Sequence, residues 1–122
     1  MIKSVIAAPQ VTLLMRTLSD PTRRAIYERI ITAREATVVA LTQHAGVSQP
    51  AVSQHLKALQ DAKLVSGRRD GRNTFYHATA QGLAPLTRWL QHYEQYWMQS
   101  FDRLDDYLTE LQRGKKKRGR RK

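Results

Sequence analysis

The chain has 122 residues and a formal net charge of +11, with 21 Lys plus Arg against 10 Asp plus Glu. That length suits one domain, and the charge points to a polyanionic partner, either nucleic acid or an acidic membrane surface. The absence of cysteine excludes a disulfide scaffold, a thiolate metal site and a Cys nucleophile.

No apolar run approaches the ~20 residues that cross a bilayer. The opening stretch around Lys3, Pro9 and Gln10 does not read as a signal peptide, so a cytoplasmic protein is expected. Val11, Leu14, Met15 and Leu18 recur at helical spacing and predict a short first helix. Ser19-Asp20-Pro21 then starts a second helix, with Asp20 as cap and Pro21 at the first position. Ala25, Ile26, Ile30 and Ile31 are expected to face inward, with Arg23, Arg24, Glu28 and Arg29 outside. Thr37 can cap a short third helix carrying Val38, Val39, Leu41 and Thr42, closed by Gly46, which takes positive φ without strain. Ser48 can cap a fourth helix running from Gln49 to Ala62, with Val52, Leu56 and Leu59 inward.

The period then changes. Residues 64–69 and 74–79 have strand composition, and Asp70-Gly71-Arg72-Asn73 between them reads as a hairpin turn. Of Phe75 and Tyr76, one is expected in the core. A long helix follows from near Pro85 to about Leu111, with Leu90, Trp97, Leu104 and Leu111 recurring every seven residues. From Arg113 the chain reads RGKKKRGRRK, eight basic residues without an acid, which leaves 13 basic against 10 acidic, or +3, on residues 1–112. The expected organisation is therefore a body over 1–112 and a disordered basic tail over 113–122. The tail reads either as a non-specific phosphate-binding arm or as a solubilising segment.

Two short helices joined by the turn Ala45-Gly46-Val47-Ser48 and followed by a hairpin predict a winged helix-turn-helix, mostly α with a β-hairpin wing. With Val52 at the centre of the buried side, Pro50, Ser53, Gln54 and Lys57 face outward and Gln49 lies on the flank. Amides pair bidentately with adenine and Ser serves several base edges, so Gln49, Ser53 and Gln54 are the candidate base readers. Ser48, Lys57, Arg68, Arg69 and Arg72 are the candidates for backbone or minor-groove contact. The partner implied is double-stranded DNA.

The strings Ser19-Asp20-Pro21-Thr22-Arg23-Arg24, Val47-Ser48-Gln49-Pro50-Ala51-Val52-Ser53-Gln54-His55-Leu56-Lys57-Ala58-Leu59, Leu64-Val65 and Arg69-Asp70-Gly71-Arg72 resemble the ArsR/SmtB family of bacterial transcriptional repressors. The resemblance covers roughly residues 11–111. It implies a homodimeric repressor on an inverted-repeat promoter operator, released by an inducer, here a small-molecule effector of unknown identity. The chain departs from the metal-sensing branch. Its third helix lacks the cysteines of that pattern, and His92 and Glu94, two apart, diverge on a helix. Asp102, Asp105 and Asp106 read as a solvated face. No metal site and no cofactor are expected. His55, at the edge of the buried side, is expected to hydrogen-bond a neighbouring helix, a pH or metal switch being the other reading. His44 and His77 have no ligand partner at useful spacing.

Trp89, Tyr93, Tyr96, Trp97, Phe101 and Tyr107 make a stripe that one small core does not cover along its length. Its seven-residue repeat suggests a second helix of the same kind. Leu14, Met15, Leu18, Leu90, Tyr93, Trp97, Phe101, Leu104 and Leu108 are the expected dimer interface; a hydrophobic effector pocket is another use of the same aromatics. There is no Gly-rich phosphate loop, no Gly-x-Ser-x-Gly elbow and no His-Glu-x-x-His motif, so no enzyme is expected. The alternative function is a basic protein-interaction or membrane-surface module without sequence-specific DNA binding.

Overall fold

A computed structural model describes residues 9–120, with side chains as far as Gly114. In order the elements are α1 (Pro9–Ser19), α2 (Pro21–Ala33), β1 (Ala36–Thr37), α3 (Val38–Ala45), α4 (Gln49–Asp61), β2 (Val65–Asp70), β3 (Asn73–Ala78) and α5 (Ala84–Arg120). The stretch around Lys3, and Arg121 and Lys122, lie outside the described residues. Of the described residues, 9–87 form one compact unit and 88–120, the remainder of α5, form a second.

Each of the helices α2, α3 and α4 starts where a side chain can satisfy an orphan backbone donor. Asp20 accepts from the Arg23 N–H at 3.0 Å, with Pro21 in the first turn of α2. Thr37 accepts from Ala40 at 3.2 Å and Ser48 from Ala51 at 3.3 Å. Gly46 closes α3 at φ 70°. The end of α4 is not marked by glycine, yet it is a full Schellman motif. The Lys63 N–H donates to Gln60 O and the Leu64 N–H to Leu59 O, both at 2.9 Å, with Lys63 at φ 61°.

The apolar faces meet in one cluster whose largest fully buried members are Leu14, Ile30, Leu41, Leu56, Leu59 and Leu64. Several expectations shift here. Tyr27 joins Ile26 and Ile30 inside, whereas Ala25 and Ile31 are exposed, because residues 26, 27 and 30 define the stripe and 25 and 31 lie off it. Val39 is exposed while Leu41 is buried. Leu14, expected at a subunit interface, lies inside the protomer at 2% exposure, since the inward face of α1 is Val11, Leu14 and Thr17. Leu18 packs on the same core, and Met15 and Leu13 are left exposed.

The hairpin has a third strand that the sequence does not announce. The order is β1-β3-β2, all antiparallel, with Ala36 opposite Tyr76 and Thr37 opposite Phe75. Two residues are too short to show a period, so only the cap before α3 is legible at this place. The ladder between β2 and β3 reaches Asp70 opposite Asn73, which leaves a two-residue turn, Gly71-Arg72. Positive φ occurs at Gly71, 63°, and not at Arg72, the pattern of a type II′ turn. Tyr76 is the strand aromatic that packs against the core.

From Arg88, α5 leaves its apolar side chains half-exposed, among them Leu90, Trp97, Phe101 and Leu104 at 49–56%. This is why the unit boundary falls at Thr87 and not at Gln112, where composition changes: packing, not charge, bounds a unit. The helical backbone continues to Arg120, past Leu111 and into the run expected to be disordered. Lys and Arg are good helix formers, and positive charge suits a helix C-terminus. Among the described residues, no helix is long and apolar enough to cross a membrane.

Lys63 occupies a left-handed conformation that costs an L side chain roughly 1–2 kcal/mol, and glycine removes that cost while adding freedom to the unfolded chain. Lys63→Gly is expected to raise the unfolding free energy by about 0.5–1 kcal/mol, read as a higher urea midpoint; a lower midpoint refutes the assignment.

Candidate nucleic-acid interface

The inward face of α4 is almost completely removed from water, with Val52 and Leu59 at 0% and Leu56 at 1%. The opposite face follows from the helical period. Ser48, Gln49, Pro50, Ser53, Gln54 and Lys57 are all exposed. Asp61, exposed on the same side, lies at the far end of α4; from Ser48 to Lys57 the surface carries no acid. It offers two amides, two hydroxyls and one ammonium, groups that address base edges and phosphates. The short span Gly46–Ser48 separates α3 from α4, as a helix-turn-helix requires.

His55 sits between the two faces. Its Nδ1 accepts from Arg23 Nε of α2 at 3.3 Å, the neighbouring-helix bond expected of it. Arg23 Nη1 also donates to Thr17 O of α1 at 3.5 Å. One guanidinium thus joins α1, α2 and α4. The Arg23 backbone N–H, aided by the Arg23 charge, holds the Asp20 carboxyl below the usual carboxylate range against a smaller desolvation effect.

In the wing, Arg68, Arg69 and Arg72 are exposed, but they differ in what they touch. The Arg68 guanidinium is hydrogen-bonded and ion-paired to Glu35, which precedes β1. It also lies 3.7 Å from Asp70 and 5.3 Å from the centroid of the Phe75 ring. Hydrogen bonding and charge from Glu35, with a smaller part from Asp70, raise the Arg68 pKa further. Among the described residues neither Arg69 nor Arg72 is ion-paired. No sequence signal points to Glu35: it lies 33 residues from Arg68, and only the pairing of β1 with β3 brings the two together.

The second unit presents a different surface. Trp89, Leu90, Tyr93, Glu94 and Trp97 line an open hollow of about 550 Å³, with Trp89 and Tyr93 edge to face at 5.0 Å. Among the described residues no three of His, Asp and Glu gather as metal ligands.

Comparison with known proteins places this geometry. A helix-turn-helix domain family matches residues 18–68. The chain is 46% identical over 71 residues to a Streptomyces lividans protein named "Probable mercury resistance operon repressor", 58% of this chain and 56% of that one. It is 48% identical over 69 residues to the HTH-type transcriptional regulator Rv2034 of Mycobacterium tuberculosis, 57% of this chain and 64% of that one. The chain therefore spans less than two thirds of either curated relative. An ArsR-like transcriptional regulator of known structure, from Rhodococcus sp. RHA1, superposes with a TM-score of 0.66 at 26% identity, covering 80% of this chain and 92% of that one.

A carboxyl whose pKa is depressed by folding stabilises the fold above the ordinary carboxylate range, and that contribution is lost as pH falls through the lowered value. Asp20→Asn keeps a capping oxygen without the charge. It is expected to lower the urea midpoint at neutral pH and to flatten the acid limb below about pH 4; parallel acid limbs in the two proteins count against this role.

Proposed function

Because the chain belongs to the ArsR/SmtB family of winged helix-turn-helix regulators, we propose that it is a transcriptional repressor that binds an inverted-repeat operator in double-stranded DNA as a homodimer. The observation that carries this reading is the exposed amide- and hydroxyl-bearing face of α4 from Ser48 to Lys57, held outward by the complete burial of Val52, Leu56 and Leu59. Gln49, Ser53 and Gln54 read base edges in the major groove; Ser48 and Lys57 fix register on phosphates. Arg69 and Arg72 of the wing add backbone or minor-groove contacts.

The dimer supplies the symmetry. Two recognition helices one turn of DNA apart, ~34 Å, require a two-fold axis between protomers. The half-exposed stripe of α5, with Leu90, Tyr93, Trp97, Phe101, Leu104 and Leu108, is the surface that a second copy covers. The alternative use of the same aromatics is a pocket for a hydrophobic effector. The basic run from Arg113 adds salt-sensitive affinity without sequence preference. Binding to the nucleoid places the protein in the cytoplasm.

Selection of bound duplexes from a random pool tests the proposal. Recovered sequences with dyad symmetry at one-turn spacing are the expected result. Recovery without any shared sequence, alongside binding to anionic vesicles, favours a basic surface module instead. On a selected site, Gln54→Ala is expected to cost about 1–3 kcal/mol at one base pair and little on random DNA; an equal loss on both rejects direct readout.

A further inference from the structure

Arg68 carries the charge of a DNA contact but not its surroundings. Glu35 lies in the two-residue link between α2 and β1, and both ends of that link are held. The Arg34 N–H donates to Ile31 O at 3.3 Å, closing α2, and Ala36 pairs with Tyr76. Its carboxylate therefore projects from a fixed backbone and meets the Arg68 guanidinium. Across the ladder Arg68 is the register partner of Phe75, and the guanidinium covers that ring at 5.3 Å. Asp70, two residues on and thus on the same side of the strand, adds a second carboxylate at 3.7 Å. A guanidinium between two carboxylates and an aromatic face has its charge answered within the protein. Arg69 points to the other face of β2 and Arg72 sits in the turn, and among the described residues neither has a carboxylate partner.

We propose that Arg68 is a positioning residue and not a DNA ligand: with Glu35 and Phe75 it clamps the β2–β3 wing to the end of α2 and so sets where Arg69 and Arg72 meet the duplex. The DNA part of this inference rests on the function proposed above; the clamp itself does not. It divides three neighbouring arginines into one that holds the wing and two that work from it. It also gives Glu35, an acid beside a basic surface, a role other than repelling phosphate.

The test uses the full chain and a selected operator, with affinity measured by fluorescence anisotropy across a salt series. Glu35→Gln and Arg68→Gln are expected to weaken operator binding by similar factors, roughly two- to five-fold, the range an exposed ion pair commands. Neither is expected to change the log–log salt slope, whereas Arg69→Gln flattens it by ~0.9, as loss of one phosphate contact does. The charge-swapped protein carrying Glu35→Arg and Arg68→Glu is expected to recover only part of the affinity, because Asp70 and the Phe75 ring face the new carboxylate. If Arg68→Gln flattens the slope by ~0.9 and Glu35→Gln tightens binding, Arg68 is a phosphate ligand and the proposal is overturned. A second readout needs no DNA. In the free protein the Arg68 side-chain protons should be ring-shifted by Phe75, and Glu35→Gln should abolish that shift and speed amide exchange in β2 and β3. An unchanged shift and unchanged exchange mean there is no clamp. Failure to select any operator, with the shift and exchange behaving as expected, removes the DNA reading and leaves the clamp standing.

Discussion

Val52, Leu56 and Leu59 are the hinge of the whole arrangement, because their burial decides which way α4 looks. Each fully buried aliphatic side chain contributes roughly 1.5–3 kcal/mol. Three together approach the 5–15 kcal/mol that separates a typical folded domain from its unfolded chain. Rolling the helix by even one residue, ~100°, would expose part of that face and bury amides without partners. The outward set of Ser53, Gln54 and Lys57 is therefore the complement of a packing choice, and the chemistry it offers is inherited from the core.

The ends of α4 are secured by different means. Its start is a hydroxyl cap after a left-handed glycine; its finish is a pair of reverse-turn hydrogen bonds through a left-handed lysine. Between them, the Arg23–His55 bond ties the middle of the helix to α2, and the same guanidinium reaches the last turn of α1. Core burial fixes rotation about the helix axis, caps fix where the helix begins and stops, and the arginine fixes tilt. These constraints act on separate degrees of freedom, so they reinforce one another without redundancy.

What could be read from the amino acids alone follows from the range of each interaction. Asp20, Thr37, Gly46 and Ser48 act on backbone within three or four residues, and each stands where the sequence placed it. The inward face of α4 obeys one unbroken period and is equally legible. The errors lie where distant segments decide. Leu14 and Met15 are neighbours of similar hydrophobicity, and only the packing of α1 shows that the first is core and the second surface. Tyr27 displaces Ile31 from the interior of α2 for the same reason. β1 has too few residues for a pattern, and Glu35 gains its meaning only from that strand's pairing. In the candidate interface, the three wing arginines look equivalent as letters; their partners separate them.

The tightness of the hairpin turn has a mechanical corollary. Two strands of six residues rise from the body and reverse in two. β1 still supports β3 at Phe75 and Tyr76, so at ~3.3 Å per residue the tip overhangs its last support by on the order of 10 Å. A beam with that overhang magnifies small motions: a tilt of about 10° at its foot sweeps the tip through nearly 2 Å, on the order of half a strand rise. Arg72, at the summit, is thus the residue most displaced by any slack below it, and stiffness at the foot of the beam matters more to its aim than anything near the summit itself.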